Sequence, residues 1–213
     1  MISVVPRTTL RAPLLVSFAF AALACGDGGA QSVPAAGRAP LPSCEWCGAA
    51  DAPAELGPVL VIDTGGEPGE RLVIEGTVYQ DDGTTPAPGV LVYAYHTNTG
   101  GVYPKRGDET GNGRRHGYLR GWLRTGADGR YRIETIRPGT YPTRGAPAHV
   151  HMTVQPPGEE ERYIDDVVFE GDPLLTSAER ARLRARGGSG IVRLERGPDG
   201  ALRARRDILL GRR

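Results

Sequence analysis

The feature that most constrains this chain is how its turn formers are spread. Glycine (31) and proline (18) together make 49 of its 213 residues, about twice ordinary usage. They separate short apolar runs along the whole length instead of pooling in one segment. Such a chain has little room for long helices and reads as many short strands joined by turns. "RLVIEGTVYQ" alternates apolar and polar residues and runs into the turn-rich "DDGTTPAPG". "VLVYAYHT" is a second run of β-branched and aromatic residues. "GYLRGWLRT" alternates again, "GADG" turns the chain, and "RYRIETI" is expected to return as its hairpin partner. "AHVHMTV" and "RYIDDVVFEG" follow as strands, and "IVRLER" and "ALRARRDILL" flank "GPDG" as a last hairpin. Only "TSAERARLRARGG" reads as helix, with Thr176 or Ser177 as N-cap and a glycine stop. About seven or eight strands with one short helix predict an all-β fold, an antiparallel β-sandwich.

Hydrophobic content of 39% suffices for one core. A net charge of +1 gives no global reason to expect nucleic acid as a partner. From Glu179 onward, eleven arginines face four acids, Glu179, Glu195, Asp199 and Asp207. Being scattered through predicted structure, they read as a solvated face.

The first 24 residues resemble an export signal. Arg7 and Arg11 precede the apolar run "APLLVSFAFAALA", whose 13 residues are too few to span a bilayer. The run ends "ALAC". A lipoprotein-type reading makes Cys25 the lipidated N-terminus and a membrane anchor, whereas ordinary cleavage after Ala24 does not; both stay open. The chain is therefore expected outside the cytoplasm, periplasmic or anchored at a membrane. The other two cysteines form "CEWC". Cys44 and Cys47 alone cannot fill a zinc shell, and no helix follows to make a redox motif. In an exported chain a disulfide is the expected state. The expected organisation is a signal at 1–24, an extended arm rich in proline, alanine and glycine at 25–70, and the sandwich at 71–213.

Side chains alternate along a strand, so His149 and His151 in "AHVHM" share one face, with Val150, Met152 and Val154 on the other. Two imidazoles so placed can share a metal ion. His96 and His116 read as surface or loop residues. Ahead of the pair stands "RPGTYP", where Pro138 and Pro142 bracket Tyr141 in a restricted loop. A phenol is normally a poor anionic ligand, but beside a trivalent cation its proton is displaced. Phenolate and imidazole together suit iron.

On these residues the chain resembles the intradiol ring-cleavage dioxygenases, the family of protocatechuate and catechol dioxygenases. The resemblance runs from about Leu72 to Leu175 and includes "GTV", "GDETGNG", "RGWLRTGADGRYRIETIRPGTYP", "PAHVHM" and "FEGDPL". It implies a non-haem Fe(III) held by two tyrosines and two histidines. The second tyrosine falls on Tyr141, the histidines on His149 and His151, and "TGGVYP" offers Tyr103 as the first. The implied reaction joins a small aromatic diol and O2 and cuts the ring to a muconate-type diacid, with one displaced tyrosine, Tyr103, taking a substrate proton. The resemblance also implies oligomerisation. One departure stands out. The family has an arginine immediately before "PAH", where this chain has Ala146, and Arg144 lies two residues earlier as its candidate replacement. Two other readings compete: a non-catalytic transthyretin-like binding module, which needs no Tyr-Pro ahead of His-x-His, and a copper or zinc site on the His-x-His pair alone.

Overall fold

Alternating apolar residues from two sets of strands meet face to face in the computed structural model, which describes Met1 and residues 41–212. The rest of the expected export signal, and Cys25, lie outside the described residues. No helix among the described residues is long and apolar enough to cross a membrane.

The strands are β1 (Val59–Val61), β2 (Arg71–Tyr79), β3 (Leu91–His96), β4 (Arg120–Arg124), β5 (Arg130–Ile136), β6 (His149–Gln155), β7 (Arg162–Phe169), β8 (Ile191–Val192), β9 (Glu195–Arg196), β10 (Leu202–Arg205) and β11 (Ile208–Leu209). One sheet has the order β1-β5-β2-β10-β9, with β11 also on β2; the other runs β4-β3-β6-β7-β8. The β-sandwich is thus present, with more strands than expected because four of them are only two or three residues long. The longer pairings are antiparallel, whereas β1–β5, β2–β10, β2–β11 and β7–β8 are parallel. Leu72 and Ile74 of β2, Ile133 of β5, Met152 of β6 and Phe169 of β7 are buried to 1% exposure or less in the core between the sheets. Each such side chain contributes roughly 1.5–3 kcal/mol.

One expectation fails. β4 and β5 are not hairpin partners: β4 pairs with β3 and β5 with β2, on opposite sheets. The turn between them is an arch across the sandwich. Leu123 and Ile133 both face the core, and an alternating pattern on either side of a short turn is the same for a hairpin and for an arch. The expected helix forms as α2 (Ser177–Arg182), with the Thr176 hydroxyl accepting from the Glu179 amide. A short helix that the pattern did not announce, α1 (Gly113–His116), sits in the long connection between β3 and β4.

Candidate metal centre

β6 is an inner strand, hydrogen-bonded to β3 on one side and β7 on the other. Val150, Met152 and Val154 point into the core, so His149 and His151 must face the other way. Two loops bring phenols to them. Tyr103 follows β3, and Tyr141 follows β5, which lies in the other sheet. Asn98 ties the two loops together. Its carbonyl accepts from the Gly101 and Gly139 amides at 3.0 and 2.9 Å, and its side-chain oxygen accepts from the Gly100 and Val102 amides. Thr97 Oγ1 adds a bond to the Gly139 carbonyl. Gly101 has φ +75°, and a Cβ there would lie 1.8 Å from the Thr140 carbonyl oxygen. Gly101→Ala is therefore expected to cost roughly 1–3 kcal/mol and to push the Tyr141 loop outward. Denaturant unfolding checks the first effect and metal content the second; an unchanged midpoint would contradict it.

The four side chains converge. Tyr103 Oη lies 2.6 Å from Tyr141 Oη and 2.9 Å from His151 Nε2. Tyr141 Oη lies 3.1 Å from both His151 Nε2 and His149 Nε2. The two imidazole nitrogens are 3.0 Å apart. The far side of each ring fixes its tautomer. His149 Nδ1 faces the Pro147 carbonyl at 2.7 Å, and a carbonyl can only accept. His151 Nδ1 faces the Asp166 carboxylate at 2.9 Å, so it too carries its hydrogen. Both Nε2 atoms then present lone pairs to the centre. Five short contacts share only the two phenolic hydrogens, which leaves three contacts without one. A cation at the centre would turn that repulsion into coordination. The residues present fit a metal ion.

The electrostatics agree. Burial raises both phenols above their ordinary range; the mutual hydrogen bond raises Tyr103 further but pulls Tyr141 down. Burial, with His151 nearby, lowers His149. Without a cation the two phenols and His149 are thus held neutral, and a metal that takes the phenols as ligands must displace their protons.

Several contributors escaped the sequence pattern. Asp166 on β7 accepts from His151 Nδ1 and from the Tyr163 hydroxyl through one oxygen. Burial would raise its carboxyl, but the bond from His151, the two neighbouring imidazoles and the Tyr163 hydroxyl outweigh it and hold it below the ordinary range. His149, His151 and Asp166 have ligand atoms within 4.8 Å of one another, yet the oxygen that accepts from His151 orients that imidazole. Asp172, in "FEGDPL", accepts from the Ala148 and Leu174 amides and so fixes the approach to His149. His96 and His116 are not surface residues. They are 0% and 3% exposed, and burial pushes both down to about 4. His96 bonds the Thr97 carbonyl and Thr135 Oγ1. His116 stacks on Tyr95 at 3.7 Å, and Tyr95 stacks in turn on His151 at 4.5 Å.

Two clefts open on the cluster. One of about 360 Å³ is largely aromatic, with Trp46, Tyr95, Tyr163 and His116 beside Tyr103, Tyr141 and His151. The other, about 180 Å³, has Ala146, Val168, Leu175 and Leu183 beside Tyr141, His149, His151 and Asp166. Arg144 lines neither. It sits in an exposed turn at φ +51°, its amide bonded to the Tyr141 carbonyl. Arg115 does line the aromatic cleft.

A family model described as "Dioxygenase" matches residues 46–186, well over half of the chain. The chain belongs to the intradiol ring-cleavage dioxygenase family. It is 36% identical over 117 residues to the protocatechuate 3,4-dioxygenase beta chain of Burkholderia cepacia, covering 52% of this chain and 49% of that one. It is 37% identical over 120 residues to catechol 1,2-dioxygenase 1 of Acinetobacter lwoffii, covering 49% and 37% respectively. The chain thus spans about half, or less, of the length of these relatives. Among solved structures, the dioxygenase domain of a carbohydrate-binding fusion protein from Streptomyces sp. SirexAA-E superposes with a TM-score of 0.53 at 26% identity, over 73% of this chain and 89% of that domain. Catechol 1,2-dioxygenase from Acinetobacter sp. ADP1, at 24% identity and a TM-score of 0.54, shares the fold.

Proposed function

We propose that this chain is a non-haem Fe(III) enzyme that cleaves a catechol-type aromatic with O2, between its two hydroxylated carbons, to a muconate-type diacid. The observation that carries the reading is the pair of Nε2 lone pairs facing each other at 3.0 Å with two phenols against them. His149, His151, Tyr103 and Tyr141 would hold the ion. Family membership favours this over a transthyretin-like binding module, and the two phenols favour it over copper or zinc, which do not call for them.

Bound iron would supply the positive charge that holds the diol and draws electron density from its ring. The chain's own residues do the rest. The Pro147 carbonyl and Asp166 keep both imidazole Nε2 atoms unprotonated. Tyr103, whose Oη lies 2.9 Å from His151 Nε2 and which lines the aromatic cleft, takes a diol proton at its Oη. Ala146 brings no charge to the smaller cleft, and Arg144 must leave its exposed turn to supply any. The apolar run behind Arg7 and Arg11 and the Cys44–Cys47 bond support an exported location, with lipid at Cys25 as the anchoring variant.

Iron loading tests the reading. Purified protein with Fe(III) is expected to turn red to burgundy through phenolate-to-iron charge transfer and to consume O2 with a catechol. Protein that stays colourless after loading would sink it.

A further inference from the structure

The segment 44–49 is held by its backbone against the β3–β4 connection, β4 and the turn before β7. Cys44 and Cys47 are joined, closing a loop with a separation of three residues. The Asn112 side-chain amide donates to both cysteine carbonyls, at 2.7 and 2.8 Å. His116 Nε2 reaches the Glu45 carbonyl at 2.7 Å, and Trp122 Nε1 donates to the Gly48 carbonyl at 2.7 Å. The Glu161 carboxylate accepts from the Gly48 and Ala49 amides at 2.8 and 2.9 Å. Gly48 lies so close to Tyr93 that a Cβ would fall 2.3 Å from the ring. Six bonds to backbone groups are more than a loose arm needs. Their joint effect is to fix the one large side chain between the cysteines.

That side chain is Trp46. It lines the aromatic cleft above Tyr103, Tyr141 and His151, with its ring 6.0 Å from that of Tyr163. At about 360 Å³ the cleft lies at the low end of ligand pockets, which run from about 300 to 1,000 Å³. It suits a single ring. Arg115 and Glu45 line it with opposite charges, so aromatic contact, more than net charge, sets what it takes.

We propose that the Cys44–Cys47 loop is the recognition wall of this cleft: Trp46 packs against the ring of a monocyclic aromatic diol, and the disulfide is the positioning element that holds Trp46 there. The inference rests on the dioxygenase reading above.

The test uses the full chain loaded with Fe(III) and titrated anaerobically with catechol, following the shift of the visible band. Trp46→Ala is expected to leave the substrate-free band and the melting temperature unchanged and to raise the catechol Kd by about fivefold or more. Trp46→Phe should recover most of that affinity. The double variant C44S/C47S is expected to raise Kd and KM similarly, with kcat at saturating catechol within about twofold of wild type. Should the double variant fail to fold, the Trp46 pair still decides the contact. A coloured wild type whose Trp46→Ala variant binds catechol within twofold of normal overturns the inference alone. Normal binding by a folded C44S/C47S overturns the role of the disulfide. A wild type that stays colourless overturns the dioxygenase reading, and this inference with it.

Discussion

Tyr141→Phe is expected to bleach most of the visible band of the iron-loaded protein and to lower oxygen uptake with catechol by about 10²-fold or more, since losing a ligand costs at least as much as losing the hydrogen-bonding partner of one, about 10–100-fold. The substitution removes one oxygen and keeps the ring, so packing changes little. The lost oxygen touches Tyr103 Oη at 2.6 Å and both imidazole Nε2 atoms at 3.1 Å. Through its loss Tyr103 also gives up the hydrogen bond that helps hold its proton. The metal would keep two nitrogens and one phenol, enough for weakened binding but not for the full charge-transfer intensity. Absorption spectra and metal content, measured on the same sample, separate loss of the ligand from loss of the ion. A variant with full colour and wild-type turnover would show that Tyr141 only packs there, and that another tyrosine serves.

The convergence that gives this variant its effect was partly legible in the chain itself. Alternation along β6 forces His149 and His151 to one face whatever surrounds them, and Pro138 and Pro142 restrict Tyr141 from within its own loop. Those relations are covalent and short in range. Asp166 is different. It reaches His151 only through the pairing of β7 with β6, where the register shifts near Val150 and Met152, and no spacing rule reports a bulge. His96 and His116 look polar and exposed in sequence because their partners, Thr135 and the Glu45 carbonyl, lie far away along the chain. Asn98 resembles any loop asparagine, although "HTNTGG" offers the turn chemistry that lets it join the two tyrosine loops. The β4–β5 arch was missed for the same reason: alternation tells which face is buried but not which sheet a strand joins. The offset of Arg144 was visible in the sequence, and the structure sharpens it by placing the residue in an exposed turn while Ala146 faces the smaller cleft.

Asp166→Asn is expected to weaken iron binding by about 10–100-fold, the usual cost of losing the partner of a ligating histidine. The carboxylate oxygen that accepts from His151 Nδ1 also accepts from the Tyr163 hydroxyl. An amide in that place can turn its NH2 toward His151, and Nδ1 then becomes the acceptor. The ring hydrogen moves to Nε2, which faces Tyr103, Tyr141 and His149 and is then closed to a metal. Asp166→Ala removes the partner without imposing the wrong tautomer, so it should bind iron more tightly than Asp166→Asn although less tightly than wild type. Competition against a chelator of known affinity measures the order, and thermal unfolding of the metal-free proteins checks that all three are folded. The order decides between two roles. If Asp166 only fills space beside Tyr163, the near-isosteric amide should be the milder change and the order should reverse. If it sets the His151 tautomer, the isostere is the more damaging of the two.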